Sequence, residues 1–70
     1  MATFNHELLL KLREKKGWTR RDVMLKLHEF GVEITEGSIE NWETDFSTPD
    51  AEKVVVLAKL FGTTAEALVK

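Results

Sequence analysis

Five short helices packed as an all-α fold are what this sequence predicts, on two regularities. Apolar residues recur at three- and four-residue spacing in successive runs, and no alternating stretch is long enough for a paired strand. Between the runs stand helix-starting residues (Asn5, Thr19, Thr35, Asp50, Thr64) and helix-stopping glycines (Gly17, Gly31, Gly62), each in its proper order.

Asn5 caps a first helix whose Leu8, Leu9 and Leu12 follow helical spacing, and Lys15 and Lys16 suit its negative C-terminal end. Gly17 sits where a left-handed stop belongs. Thr19 caps the second helix, with Trp18 before it and Val23 at the fourth helical position as a hydrophobic staple. Val23, Met24, Leu27 and Phe30 form its apolar stripe, and Gly31 ends it. Val32-Glu33-Ile34 alternates but is too short to pair, which makes it an extended connector. Thr35 caps a third helix stapled by Ile34 and Ile39, with Ile39 and Trp42 facing the core. A loop from Thr44 to the only proline, Pro49, leads to Asp50, the cap of a fourth helix. That helix carries Val54, Val55, Leu57, Ala58 and Phe61, and Gly62 stops it. Thr64 then caps a short fifth helix through Leu68, while Leu25 and Val56 lie off their helices' main stripes.

Length and composition bound the function. Seventy residues make one domain, spanning 1–70. A chain this short buries only about 60% of its unfolded surface, so the core must be efficient. There is no cysteine, hence no disulfide and no thiolate metal site. Met1-Ala2-Thr3-Phe4-Asn5-His6 lacks the regions of a secretory signal, and no apolar run approaches the ~20 residues of a membrane span, so the expectation is a cytoplasmic protein without membrane contact. His6 and His28 are isolated, and Ser38 and Ser47 have no histidine-and-acid pattern around them. The sequence therefore implies no catalytic residue, no small-molecule substrate, no metal and no cofactor.

The net charge of −2 conceals an uneven distribution. Residues 1–28 hold seven Lys and Arg against three carboxylates, whereas residues 29–52 hold eight carboxylates and no Lys or Arg. The remainder, with Lys53, Lys59 and Lys70 against Glu66, is basic again. Solvated faces of uneven charge are one reading, and a basic surface beside an acidic one is the other. The third helix poses the same choice. Opposite Ile39 and Trp42 it carries Glu36, Gly37, Glu40, Asn41 and Thr44, which is either a plain solvated face or one shaped to enter a DNA major groove. On the second reading Asn41 grips adenine through both amide groups, and Glu36 or Glu40 accepts from cytosine N4.

Three stretches carry a resemblance. Leu12-Arg13-Glu14-Lys15-Lys16-Gly17-Trp18-Thr19-Arg20 resembles the opening of the phage-repressor and Cro type of helix-turn-helix domain, the lambda-repressor-like family. Thr35-Glu36-Gly37-Ser38-Ile39-Glu40-Asn41-Trp42-Glu43 is similar to its recognition helix, and Pro49 with Leu57-Ala58-Lys59-Leu60-Phe61-Gly62-Thr63-Thr64 to its later helices. The resemblance implies a structural ion pair between Arg13 and Glu43. It also implies a phosphate contact at Arg20, beside Arg21, and base-reading positions at Glu36, Gly37, Ser38 and Asn41 with Thr35 next to them. Two features depart from the family. The connector between the second and third helices is about five residues longer than the usual tight turn. The loop Thr44-Asp45-Phe46-Ser47-Thr48 lacks the frequent glycine and basic residues, leaving backbone amides and the hydroxyls of Ser47 and Thr48 to meet the DNA backbone.

Two functions follow. One is sequence-specific binding of double-stranded DNA by a transcriptional regulator or repressor, acting as a homodimer on DNA. The other is an antitoxin-like protein-interaction module that keeps the fold with weak or no DNA binding.

Overall fold

A computed structural model describes residues 4–69 of the chain. Met1, Ala2 and Thr3, read above for a secretory signal, and Lys70, part of the basic C-terminal balance, lie outside the described residues. Four helices follow one another: α1 (His6–Lys16), α2 (Arg20–Glu29), α3 (Glu36–Glu43) and α4 (Ala51–Phe61).

Each helix starts on a side chain that takes up an otherwise unpaired amide. Asn5 Oδ1 accepts from Leu8 N, Thr19 Oγ1 from Asp22 N, Thr35 Oγ1 from Ser38 N and Asp50 Oδ1 from Lys53 N, at 3.0–3.3 Å. At Thr19 the bond is reciprocated, because Asp22 Oδ2 accepts from Thr19 N at 2.9 Å and closes a capping box.

All four helices also end alike. Trp18 N donates to Arg13 O, Val32 N to Leu27 O, Phe46 N to Asn41 O and Thr63 N to Ala58 O, each reaching back five residues around a left-handed turn. Glycine occupies the left-handed position after α1, α2 and α4. After α3 it is Asp45, at φ 64°, the one non-glycine residue with positive φ among those described. Aspartate tolerates that conformation better than most residues, but its Cβ still meets the steric penalty that glycine escapes.

The core is a continuous cluster: Leu9 from α1, Val23 and Leu27 from α2, Ile39 and Trp42 from α3, and Val54, Leu57, Ala58 and Phe61 from α4. Phe4 and Leu68 close it at the two ends of the described chain. Trp18 packs its ring 5.5 Å from that of Phe61, and the ammonium groups of Lys26 and Lys16 lie over the indole at 4.6 and 5.7 Å.

Three expectations change. The predicted fifth helix is a single 3-10 turn, Glu66–Leu68. Thr64 does accept from Ala67 N at 3.2 Å, yet Leu68 must drop into the core, and Val69 runs extended to bridge Phe4, with Asn5 N donating to Leu68 O at 2.7 Å. One turn is too short to propagate as an α-helix on its own. Phe30, assigned to the apolar stripe of α2, stands 49% exposed, because α2 stops at Glu29 and the turn through Gly31 carries the ring outward. Val55 is likewise exposed, on the outer side of α4. The long connector is accommodated by irregular backbone over residues 32–34 that is extended at Thr35 and pinned where His28 Nε2 donates to Ile34 O at 3.0 Å.

Asp45→Gly should relieve the left-handed strain and raise stability by about 0.5–1 kcal/mol, read from denaturant unfolding at unchanged m-value. The capping aspartates contribute to the acid limb of stability. The Thr19 backbone amide holds the Asp22 carboxyl below its usual range, and the Lys53 ammonium does the same for Asp50. A depressed folded-state pKa gives stability that is complete above the unfolded value, near 4, and is lost as pH falls through the lowered one. Asp22→Asn should therefore flatten the dependence of melting temperature on pH below about 4, with little change in its slope near neutrality.

Candidate nucleic-acid interface

The geometry of α3 is set by an ion cluster at its last residue. Glu43 ends α3 with its side chain 1% exposed, which would be costly for a lone carboxylate. Arg13, from α1, clasps it bidentately: Nε donates to Oε2, and Nη2 to Oε1 at 3.2 Å, while Nη1 donates to Trp18 O at 2.8 Å. The bond to Glu43 raises the Arg13 guanidinium above its ordinary pKa. Arg20, first residue of α2, adds a third strand of the knot. Its Nε donates to Glu43 Oε1 at 2.9 Å, and its Nη1 lies 3.6 Å from Glu40 Oε1. Three helices thus meet on one buried carboxylate, and among the described residues no buried side-chain nitrogen or oxygen lacks a hydrogen-bond partner.

Around this knot the structure gathers most of the residues that the sequence singles out. Arg20, Arg21 and Glu36 line one shallow depression of about 400 Å³ together with Thr19 and Trp18, so the starts of α2 and α3 share a surface. Arg21 is exposed and makes no ion pair among the described residues, unlike Arg20. Along α3, Glu36, Gly37 and Glu40 are exposed and Asn41 is half-buried. Asn41 spends its backbone carbonyl on Phe46 N and Ser47 N, while its side-chain amide makes no hydrogen bond within the described residues. The Thr35 hydroxyl is engaged as the cap, with Ser38 Oγ 3.4 Å away. Thr48 stands exposed in the loop after α3 and shares no hydrogen bond with this group.

One further feature concerns Gly37, exposed inside the first turn of α3. A Cβ built there meets only Thr35 Oγ1, at 3.6 Å, an ordinary contact, and its backbone is helical. Among the described residues nothing requires glycine at this position, although glycine weakens a helix.

A family model described as a helix-turn-helix domain matches residues 6–70, nearly the whole chain. The chain belongs to this helix-turn-helix family. The match agrees with the phage-repressor and Cro resemblance, and such a domain points to DNA binding and to a part in transcription. No curated protein matches the chain in sequence. Among the described residues of this helix-turn-helix domain, no helix is long and apolar enough to cross a membrane.

Sequence reasoning missed Arg20 as a partner of Glu43. The two are 23 residues apart, and nothing in their spacing announces the contact, which exists only because α2 crosses α3. The double clasp alters the expected energetics. Breaking a buried pair costs roughly 3–5 kcal/mol, and Arg20 remains on Oε1 when Arg13 is removed, so Arg13→Ala should fall at the low end of that range. Arg13→Ala with Arg20→Ala should cost more than the two single changes added together, since only the double variant strands Glu43. A double-mutant cycle by thermal and denaturant unfolding reads this coupling, and strict additivity would rule it out.

Proposed function

We propose that this chain is a sequence-specific, double-stranded-DNA-binding transcriptional regulator of the repressor type, working in the cytoplasm as a homodimer with α3 laid into the major groove. Gly37 carries this reading. A glycine that the fold does not need, on the outer face of a helix framed by Asn41 and Glu36, is what close approach to another molecule's surface calls for. An α-helix with its side chains is about 10–12 Å across, which fits the roughly 12 Å width of the major groove.

Within that pose each side chain has a chemical task. Asn41, with its amide free, pairs with an adenine edge, and Glu36 accepts from a cytosine amino group. Arg21 neutralises a phosphate at the start of α2, with Arg20 beside it holding the helices in register. Thr35, Ser38 and Thr48 offer hydroxyls to bases or backbone. One helix this short gives few contacts, so two copies on half-sites about 34–36 Å apart supply the affinity. An alternative reading, a protein-interaction module with weak DNA binding, draws on the same cluster: Arg20 is tied up by Glu43 and Glu40, which leaves Arg21 as the untied cation at the start of α2.

Titration of a random duplex pool at several salt concentrations separates the two. The DNA reading expects binding that weakens steeply with salt, and no binding at low salt would sink it. Gly37→Ala should raise stability by about 0.5–1 kcal/mol through helix propensity while weakening DNA binding, a divergence that a purely structural role would not produce. Arg21→Ala should weaken all sequences alike and lower the salt slope by about one. Glu36→Gln should raise nonspecific affinity and change preference at one base pair by about 1–3 kcal/mol.

A further inference from the structure

Away from the α3 face, the turn after α2 and the first turns of α4 enclose a second depression, of about 330 Å³, lined by Phe30, Gly31, Val32, Glu33, Glu52, Lys53 and Val56. Its apolar side is formed by Phe30, 49% exposed, with Val32 and Val56 half-buried against the core. Its charge is one-sided. The Lys53 ammonium is held by Asp50 at 2.9 Å, whereas Glu33 and Glu52 make no ion pair among the described residues. Four of its lining residues, Phe30 to Glu33, belong to the lengthened connector.

We infer that this groove docks a basic, amphipathic peptide segment of a partner protein, which seats an apolar side chain against Phe30 and Val56 and brings lysine or arginine to Glu33 and Glu52. The charge selects this occupant. DNA would bring phosphates against two unpaired carboxylates. A second copy of the chain, meeting face to face, would set Glu33 and Glu52 against themselves. A basic segment meets both requirements, with an aromatic anchor at the centre and complementary charge at the rim. The groove is separate from Arg21, Gly37 and Asn41, so docking there stands whether or not α3 binds DNA.

The probe is a synthetic amphipathic peptide of alternating leucine and lysine turns, fluorescently labelled, with a leucine–glutamate counterpart of the same pattern. Anisotropy gives affinity, and backbone amide shifts of isotope-labelled protein give location. The lysine peptide should bind in preference to the glutamate one, more weakly as salt rises, and shift the amides of Gly31, Val32, Glu33, Lys53 and Val56 most. Phe30→Ser should weaken it about tenfold or more. Glu33→Lys with Glu52→Gln should abolish the preference for lysine over glutamate. Both variants change exposed positions, so their melting curves should stay near the parent's and their duplex affinity should not fall. Shifts concentrated on Glu36 and Glu40 of α3, an absence of binding, or affinities indifferent to both variants would each overturn the assignment.

Discussion

A single carboxylate, buried at the end of α3, holds the relative placement of the first three helices. Glu43 cannot leave the interior without taking Trp42 and Ile39 with it, and it cannot stay there uncompensated. Arg13 of α1 and Arg20 of α2 supply two guanidinium groups whose planar forks fix direction as well as distance. The Trp18 carbonyl, in the turn between α1 and α2, accepts from the third guanidinium nitrogen of Arg13 and ties that turn into the same knot. An apolar cluster of equal volume can match the stability of such an arrangement, but it would not fix the angle at which the outer face of α3 is presented. Orientation is what this buried charge contributes.

The same knot explains how a chain of net charge −2 can present a usable surface. The eight carboxylates of residues 29–52 look like a uniform acidic tract in the sequence, but the fold gives them different tasks. Glu43 is interior, Glu40 leans toward Arg20, Asp50 caps α4 and holds Lys53, and Asp45 takes the left-handed position after α3. The carboxylates left outside this scaffold stand in three places: Glu36 at the head of α3, Glu33 with Glu52 around the Phe30 groove, and Glu29 beside Leu25 and Lys26 at the end of α2. The acidic middle is therefore several separate features with different physical origins, and its average charge describes none of them.

The connector after α2 shows how a local insertion becomes a surface feature. The turn at Gly31 follows the same back-bonded geometry as the other helix ends, so the extra residues do not disturb α2 itself. They run as irregular backbone, held by His28, until Ile34 and Thr35 start α3 with Ile39 in the core. What they add is exposed: Phe30 outside the stripe to which spacing assigns it, and Glu33 beside the first turns of α4.

The sequence by itself determined where the helices lie. Their signals are local, since a cap bonds a residue three positions away and a helix stop bonds one five positions back, and both appear in the chain as Asn5, Thr19, Thr35, Asp50, Gly17, Gly31 and Gly62. It also fixed the buried sides of α1, α2 and α3, through periodicity, at Leu9, Val23, Leu27, Ile39 and Trp42. Only the tertiary structure decided the rest. Phe30 faces outward and Thr64 starts one turn in place of a helix, because the path of the chain after each cap answers to what it must pack against. Of the candidate interface, the positions on α3 were legible from helical spacing and the family resemblance. The double arginine clasp, the nearness of Arg21 to Glu36 and the lack of any internal need for Gly37 were not. Those depend on α2 crossing α3, a contact between residues far apart in sequence that no local pattern encodes.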